Sequence, residues 1–379
     1  MNGVKELKYS STRGKAASVA SAEAIIQGLA ADGGLFVPEE MPKADLDFIA
    51  GMRQLSYEER AARILGLFLT DYTSKELAGC IARAYGGGKF GDVRIAPVHA
   101  LKEFPVLELW HGPTSAFKDM ALQLLPQLLQ TALKKTGEDA EILILVATSG
   151  DTGKAALEGF ADVDQIKILV FYPTGGVSKI QNLQMCTQKG ANVRVVAVKG
   201  NFDDAQNGVK EIFGDKAFGE KLAAGNVKLS SANSINWGRL VPQIVYYFSA
   251  YADLLEKGMI AAGEAVDFCV PTGNFGDILA GYYAKRMGLP VAKLICASNR
   301  NNVLTDFLQT GVYDKKRDFY KTISPSMDIL ISSNLERLLY HETQDATLVR
   351  GWMEELAAKG RYEVGETVLQ NLKETFWAG

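Results

Sequence analysis

Histidine is nearly absent from this chain, with three in 379 residues. His99, His111 and His341 are scattered along the sequence, so no metal-ligand spacing occurs and no metal is expected. Cysteine is almost as sparse. Cys80, Cys186, Cys269 and Cys296 lie far apart in apolar or helical surroundings without a C-x-x-C pair. They read as small buried thiols in a reducing cytoplasm, not as a disulfide framework. The start, Met1-Asn-Gly-Val-Lys-Glu-Leu-Lys8, lacks the apolar run of a secretory signal, and no uninterrupted apolar stretch reaches membrane length. There is no basic block either, and a net charge of −3 with mixed signs leaves no electrostatic footprint for nucleic acid or an anionic membrane. A soluble cytoplasmic monomer or homodimer acting on a small molecule is expected, with no nucleic-acid or membrane partner.

A chain that is 47% hydrophobic over 379 residues can bury a large core, and its length fits about two to three domains. Residues 1–95 are predicted to form an N-terminal, mostly helical domain closed by Gly86-Gly-Gly88. Within it, Asp32-Gly33-Gly34 reads as a plain turn. Residues 96–379 are predicted to be α/β, in two lobes. Glu141–Ala147, Ile166–Tyr172, Val193–Val198, Val266–Val270 and Val291–Cys296 are short apolar runs rich in β-branched residues, most of them separated by helical patterns. Such runs fit open, mostly parallel sheets covered on both faces.

Open α/β sheets bind ligands where strand ends meet loops. Between Leu109 and Gln123, His111-Gly-Pro-Thr114 reads as a turn, and Ala121, Leu124, Leu125, Leu128, Leu129, Ala132 and Leu133 follow at helical spacing. Lys118 sits where the turn feeds the helix. The partial positive charge of a helix N-terminus makes a lysine there less basic. A less basic amine beside Phe117 and Met120 suits Schiff-base chemistry with a carbonyl group. From these residues alone a solvated surface lysine remains an equal alternative.

Three other turns are polar and glycine-rich. Ala147-Thr-Ser-Gly-Asp-Thr-Gly-Lys154 is not a P-loop, because position 148 is Thr and position 155 is Ala. Its hydroxyls and backbone N–H groups suit a carboxylate or phosphate, or a simple helix cap. In Pro271-Thr-Gly-Asn-Phe-Gly-Asp277, Gly273 and Gly276 allow backbone N–H groups to approach an anion. Asp277 would repel one unless its carboxylate points away. Ser230-Ser-Ala-Asn-Ser-Ile-Asn-Trp-Gly-Arg239 ends in a guanidinium that can grip two phosphate oxygens.

Together these motifs resemble those of the threonine synthases, in the same order along the chain. His111-Gly-Pro-Thr-Ser-Ala-Phe-Lys-Asp119 is similar to that family's pyridoxal 5'-phosphate attachment motif, and Tyr9–Gly14 and Gly28–Pro38 resemble its N-terminal segment. The resemblance implies a tryptophan-synthase-like, fold type II pyridoxal-phosphate enzyme that converts O-phospho-L-homoserine and water to L-threonine and phosphate. It makes Lys118 the attachment and acid–base residue, with Phe117 and Asp151 at the cofactor. Gly273, Asn274, Phe275, Gly276 and Asp277 would hold the cofactor phosphate. Ser149, Gly150 and Thr152 would hold the substrate carboxylate, and Arg239, Asn236 and Ser178 the substrate phosphate. Ser178 is equally an N-cap for a helix beginning at Lys179. A serine or threonine dehydratase-like lyase and a non-catalytic binder of phosphorylated metabolites are the alternatives.

The resemblance also implies a further C-terminal segment, in which a His-Pro motif and a hydroxyl residue meet the cofactor's pyridine nitrogen. Glu366 to Phe376 reads as a helix, and no strand is expected after it. The chain is therefore expected to lack the family's C-terminus and to be a weak catalyst, unless Ser298 or Thr305 supplies the contact.

Overall fold

The computed structural model describes residues 6–200 and 202–379. The chain divides into two compact units, one built on residues 20–29 and 55–242 and the other on 7–19, 30–54 and 243–379. This differs from the boundary expected near residue 95. Helices Tyr57–Phe68 and Ser74–Tyr85, each opened by a capping box (Ser56 with Glu59, Thr73 with Glu76), belong with the residues that follow them. Their apolar faces are buried at Ile64, Leu65, Phe68, Leu77 and Ile81. Two tyrosines at their ends donate into the next helical segment, Tyr72 to the Leu128 carbonyl at 3.0 Å and Tyr85 to that of Met120 at 2.7 Å.

In the first unit, four parallel strands are ordered Val193–Val198, Ile166–Pro173, Glu141–Ala147, Val227–Ser230. Ile142, Ile144, Leu145 and Val146 of the Glu141–Ala147 strand are buried, as a strand flanked on both sides requires. The helix predicted after Lys118 is broken into Asp119–Leu122 and Leu125–Thr136. Pro126 explains the break: it has no N–H and its ring opposes the carbonyl four residues earlier, that of Leu122. That carbonyl is met by Gly159 of helix Asp151–Phe160, where a Cβ would lie only 1.9 Å from the oxygen.

In the second unit, three parallel strands are ordered Phe376–Ala378, Val291–Ala297, Val266–Pro271. The apolar spacing of the sequence predicts a helix through Phe376 and no strand after it. The helix Glu366–Thr375 instead gives way to a strand at Phe376. Phe376 and Ala378 are buried while Trp377 is 60% exposed, the alternation of a strand on its neighbour. Ser298 and Thr305 share a hydrogen bond of 3.0 Å at the end of the Val291–Ala297 strand.

Residues 9–14 and 30–38 of the N-terminal motif segments lie in this unit. Tyr9–Ser11 pairs antiparallel with Phe36–Pro38. Asp32 closes its turn by accepting from Ser11 Oγ at 2.7 Å, Gly34 N at 2.9 Å and Lys15 N at 2.8 Å. Glu336 of helix Leu335–Thr343 accepts from Thr12 Oγ1 at 2.6 Å and is gripped by Arg13 through Nε at 2.9 Å and Nη2 at 3.0 Å.

The Gly159 contact is where a single methyl does most harm. Gly159→Ala is expected to lower unfolding free energy by about 3 kcal/mol, since the methyl would collide with rigid backbone and not with a movable side chain. Urea unfolding of the two proteins checks this; an unchanged midpoint would show that the helices separate freely.

Candidate active site

Lys118 immediately precedes helix Asp119–Leu122 and already has helical dihedrals, φ −64° and ψ −21°. The turn that delivers it is held from within. The buried Asp119 carboxylate accepts from Thr114 N at 2.8 Å and Thr114 Oγ1 at 2.7 Å, and Ser115 adopts a left-handed φ of 57°. The Lys118 side chain is 11% exposed, and its Nζ lies 3.8 Å from Asp151 Oδ2 and 5.4 Å from the centre of the Phe117 ring. Burial drives the ammonium down to about 8; Asp151 opposes the fall and the Arg239 charge adds to it. The amine is thus partly neutral at ordinary pH without help from a cofactor.

Asp151 is the first residue of helix Asp151–Phe160, at the end of the loop 147–150. Thr148 Oγ1 closes that loop by accepting from Gly150 N and Gly153 N, both at 2.9 Å. Gly150 has φ 141°, and a Cβ there would collide with the Gln181 amide at 2.4 Å. Gln181 Nε2 donates to Asp151 Oδ1 at 2.7 Å, leaving Oδ2 toward Lys118. Ser149, Gly150 and Thr152 are therefore clustered beside the lysine's partner. Ser178 caps helix Lys179–Cys186, forming a capping box with Gln181 at 3.2 Å and 3.0 Å. Thr148 and Gln181 escaped the sequence reading. The Ser-x-x-Gln spacing signals a capping box, but nothing in it says that the glutamine amide also reaches Asp151.

The loop 230–236 leads into helix Trp237–Glu256. Asn236, expected on a substrate phosphate, is 1% exposed and commits both amide hydrogens to the fold, to the carbonyls of Ile25 and Ser231, each at 3.0 Å. Its Oδ1 accepts from Gly238 N at 2.8 Å. It has no donor left for an anion, and so shapes the loop. Arg239 is 4% exposed and anchored by Nη1 to the Ala232 carbonyl at 2.7 Å. Asn233 Oδ1 is a buried acceptor with no protein partner.

Residues 273–277 belong to the second unit and form a cluster of their own. Phe275 precedes helix Gly276–Met287 with a left-handed φ of 61°. The first N–H groups of that helix have no partner within it, which gives an anion donors and a favourable dipole. Asp277 faces away from such a role: its carboxylate accepts from the hydroxyls of Tyr246 at 2.5 Å and Tyr247 at 2.9 Å. Among the described residues, no group of three His, Cys, Asp or Glu side chains could hold a metal ion, and no helix is long and apolar enough to cross a membrane.

The family profile "Threonine synthase N terminus" matches residues 8–85, and "Pyridoxal-phosphate dependent enzyme" matches residues 97–367. Threonine synthase from Saccharomyces cerevisiae is 39% identical over 391 residues, covering 97% of this chain and 74% of the yeast protein. The chain belongs to the threonine synthase family. Human threonine synthase-like 1 is 44% identical over 94% of this chain, and the match spans 49% of the human protein, about half its length. The crystal structure of pyridoxal-phosphate-bound threonine synthase from Brucella melitensis superposes with a TM-score of 0.90 at 43% identity, covering 98% of this chain and 78% of that one. The fold is that of the fold type II pyridoxal-phosphate enzymes, as the resemblance implied. The two family segments leave residues 86–96 between them, while the compact units divide elsewhere.

The electrostatics of Lys118 can be tested directly. In cofactor-free protein, Asp151→Asn is expected to move the amine further below about 8, because it removes the group that raises it, and Arg239→Gln to move it up. The pH dependence of Lys118 reductive methylation, read by NMR, gives both shifts. Stability has a matching sign. Between about 8 and 10.5 the unfolded lysine holds a proton that the native one has lost, so the unfolding free energy rises with pH across that window. Lys118→Met, which has no charge to bury, is expected to be more stable than the native chain at pH 7 by on the order of 2–3 kcal/mol, the difference vanishing above about pH 10. Equal stabilities at pH 7 and 10 would contradict a buried, depressed amine.

Proposed function

We propose that this chain is a threonine synthase, converting O-phospho-L-homoserine and water to L-threonine and phosphate with pyridoxal 5'-phosphate as cofactor. The observation that carries the reading is the buried Lys118 amine, lowered to about 8 within the family's attachment motif. Each cluster by itself suits one group of the cofactor: Lys118 offers an amine to an aldehyde, and 273–277 is a left-handed turn opening a helix whose N–H groups suit a phosphate. Bound pyridoxal phosphate supplies an aldehyde that couples to amines and a ring that withdraws electrons from the attached carbon. All the proton handling falls to the protein.

Lys118 Nζ, partly neutral near pH 7, can take a proton from one substrate carbon and return it at another. Asp151 Oδ2 holds that nitrogen and stabilises its charged form, so the amine does not leave the substrate carbons between transfers. Ser149, Gly150 and Thr152 offer hydroxyls and N–H groups to the substrate carboxylate at a helix start. Arg239 is the anion-binding residue for the substrate phosphate, held in orientation by the Ala232 carbonyl. Ser178 and Asn236 drop out of that set as cap and loop former. Phe117 lies beside the Lys118 amine as apolar cover. Cys80 and Cys296 are buried as expected, whereas Cys186 and Cys269 are exposed, and four unpaired thiols accord with a cytoplasmic enzyme; we take it to act as a monomer or homodimer.

Borohydride treatment of the protein with pyridoxal phosphate is expected to label the peptide carrying Lys118, and the protein to release phosphate from O-phospho-L-homoserine but no ammonia from L-serine or L-threonine. Ammonia without phosphate would favour a dehydratase; labelling without either product would favour a binder. Lys118→Ala is expected to abolish threonine formation. Arg239→Ala should raise KM for the phosphorylated substrate by about tenfold to a hundredfold with cofactor affinity unchanged, and the reverse pattern would assign Arg239 to the cofactor.

A further inference from the structure

The signature segments at residues 9–14 and 28–38 have no part in the chemistry above, nor has the fully buried Arg337. Both are explained by the back of the 273–277 turn. The Gly273 carbonyl accepts from Ser332 Oγ at 2.7 Å, and the Asn274 carbonyl accepts from both Asn334 N and Asn334 Nδ2, each at 3.1 Å. In a trans peptide the C=O and the next N–H point in opposite directions. Drawing these two carbonyls toward Ser332 and Asn334 therefore sends the N–H groups of Asn274 and Phe275 the other way, to the side of an incoming anion.

Asn334 is itself held in one orientation. It is wholly buried, and its Oδ1 accepts from Arg337 Nη1. A guanidinium only donates, so the amide cannot flip, and Nδ2 must face the Asn274 carbonyl. Arg337, also wholly buried, is fixed in turn by donating from Nε to the Phe36 carbonyl at 2.9 Å, on the strand Phe36–Pro38 that pairs with Tyr9–Ser11. Next to it, Glu336 is held by Thr12 and Arg13. The left-handed Phe275 is a strained conformation for a residue with a side chain, so the turn persists only if its surroundings over-determine it.

We propose that Asn334, held by Arg337 and through it by the N-terminal strand pair, and Ser332, whose N–H donates to the Tyr313 hydroxyl, are positioning residues for cofactor phosphate binding that orient the N–H groups of Asn274 and Phe275 toward the phosphate. The inference rests on the reading of residues 273–277 as the phosphate turn. It gives the N-terminal motif a task that reaches the cofactor without touching it.

The test compares dissociation constants for pyridoxal phosphate and for pyridoxal, which keeps the aldehyde but has no phosphate, in the full chain and its variants. Asn334→Ala is expected to weaken pyridoxal phosphate by about tenfold to a hundredfold while leaving pyridoxal within about twofold. Asn334→Asp separates positioning from filling. It keeps the volume and still accepts from Arg337, but puts an acceptor against the Asn274 carbonyl, so it should lose the phosphate discrimination as fully as the alanine. Recovery in the aspartate would mean that Asn334 merely partners Arg337, and would overturn the proposal. Ser332→Ala, which removes one bond, provides a milder variant should Asn334→Ala not fold; about threefold to tenfold loss, confined to the phosphorylated ligand, is expected. Equal losses for both ligands in folded variants, or no loss, would also overturn it. A native protein that binds pyridoxal as tightly as pyridoxal phosphate would instead overturn the reading of the turn itself.

Discussion

A primary amine has to be taken out of water and still keep its nitrogen available. That requirement on Lys118 governs the first unit. Burial costs the charged form most, and so drops the amine to about 8; Asp151 keeps it from falling further. Both effects need a helix start brought close to a second helix. Pro126 ends the first helix at Leu122, leaving a carbonyl, and Gly159 on the Asp151 helix lets backbone approach that carbonyl with nothing between. The same helix presents Asp151 at its first residue. Thr114, Asp119 and the left-handed Ser115 set the approach from the other side. Sequence elements that look unrelated, a proline, a glycine and a Thr–Asp pair, thus act on one pKa.

A different economy shapes the second unit, where backbone and not side chains would meet the ligand. N–H groups cannot be aimed by rotamer choice; they are aimed by what is done to the carbonyl on the other side of the peptide. This places the residues that matter behind the turn, among groups that are buried and uncharged except for Arg337. Burial lowers that guanidinium to about 10, so it stays protonated at neutral pH and continues to hold Asn334.

Much of the fold was legible in the sequence, and the exceptions share a physical cause. The five predicted strands are all present; the central Glu141–Ala147 is buried along most of its length, as an apolar run flanked on both sides should be, whereas Val193–Val198 and Val266–Pro271 bury one residue each and were legible from their β-branched and apolar content alone. Lys118 stood out because a cation at a helix start needs a reason. Three things did not show. The strand at Phe376 is three residues long and continues the apolar spacing of the helix before it, so only its neighbour Val291–Ala297 defines it. The two compact units interleave at residues 20–29 and 30–54, with no composition change to mark the crossings. Gln181, Asn334 and Arg337 each have a partner three residues away, but their reach to Asp151, Asn274 and Phe36 spans long stretches of chain, and a single sequence carries no trace of those pairs.

Asp277 shows how a residue can look wrong in sequence and right in three dimensions. A carboxylate at the start of a helix complements the dipole, yet the same position follows a turn built to receive an anion. Two requirements conflict unless the carboxylate is taken out of play. The hydroxyls of Tyr246 and Tyr247 do this by binding its Oδ1, and burial pushes its pKa upward against the effect of those two bonds. Tyr247 also donates to the Asp277 carbonyl at 3.0 Å, fixing the residue at main chain and side chain together. With the negative charge turned inward and its oxygen occupied, the helix keeps an acidic residue in its first turn while its N–H groups stay open to an incoming phosphate. The charge objection raised by the sequence is therefore met by direction, and the two tyrosines are what set it.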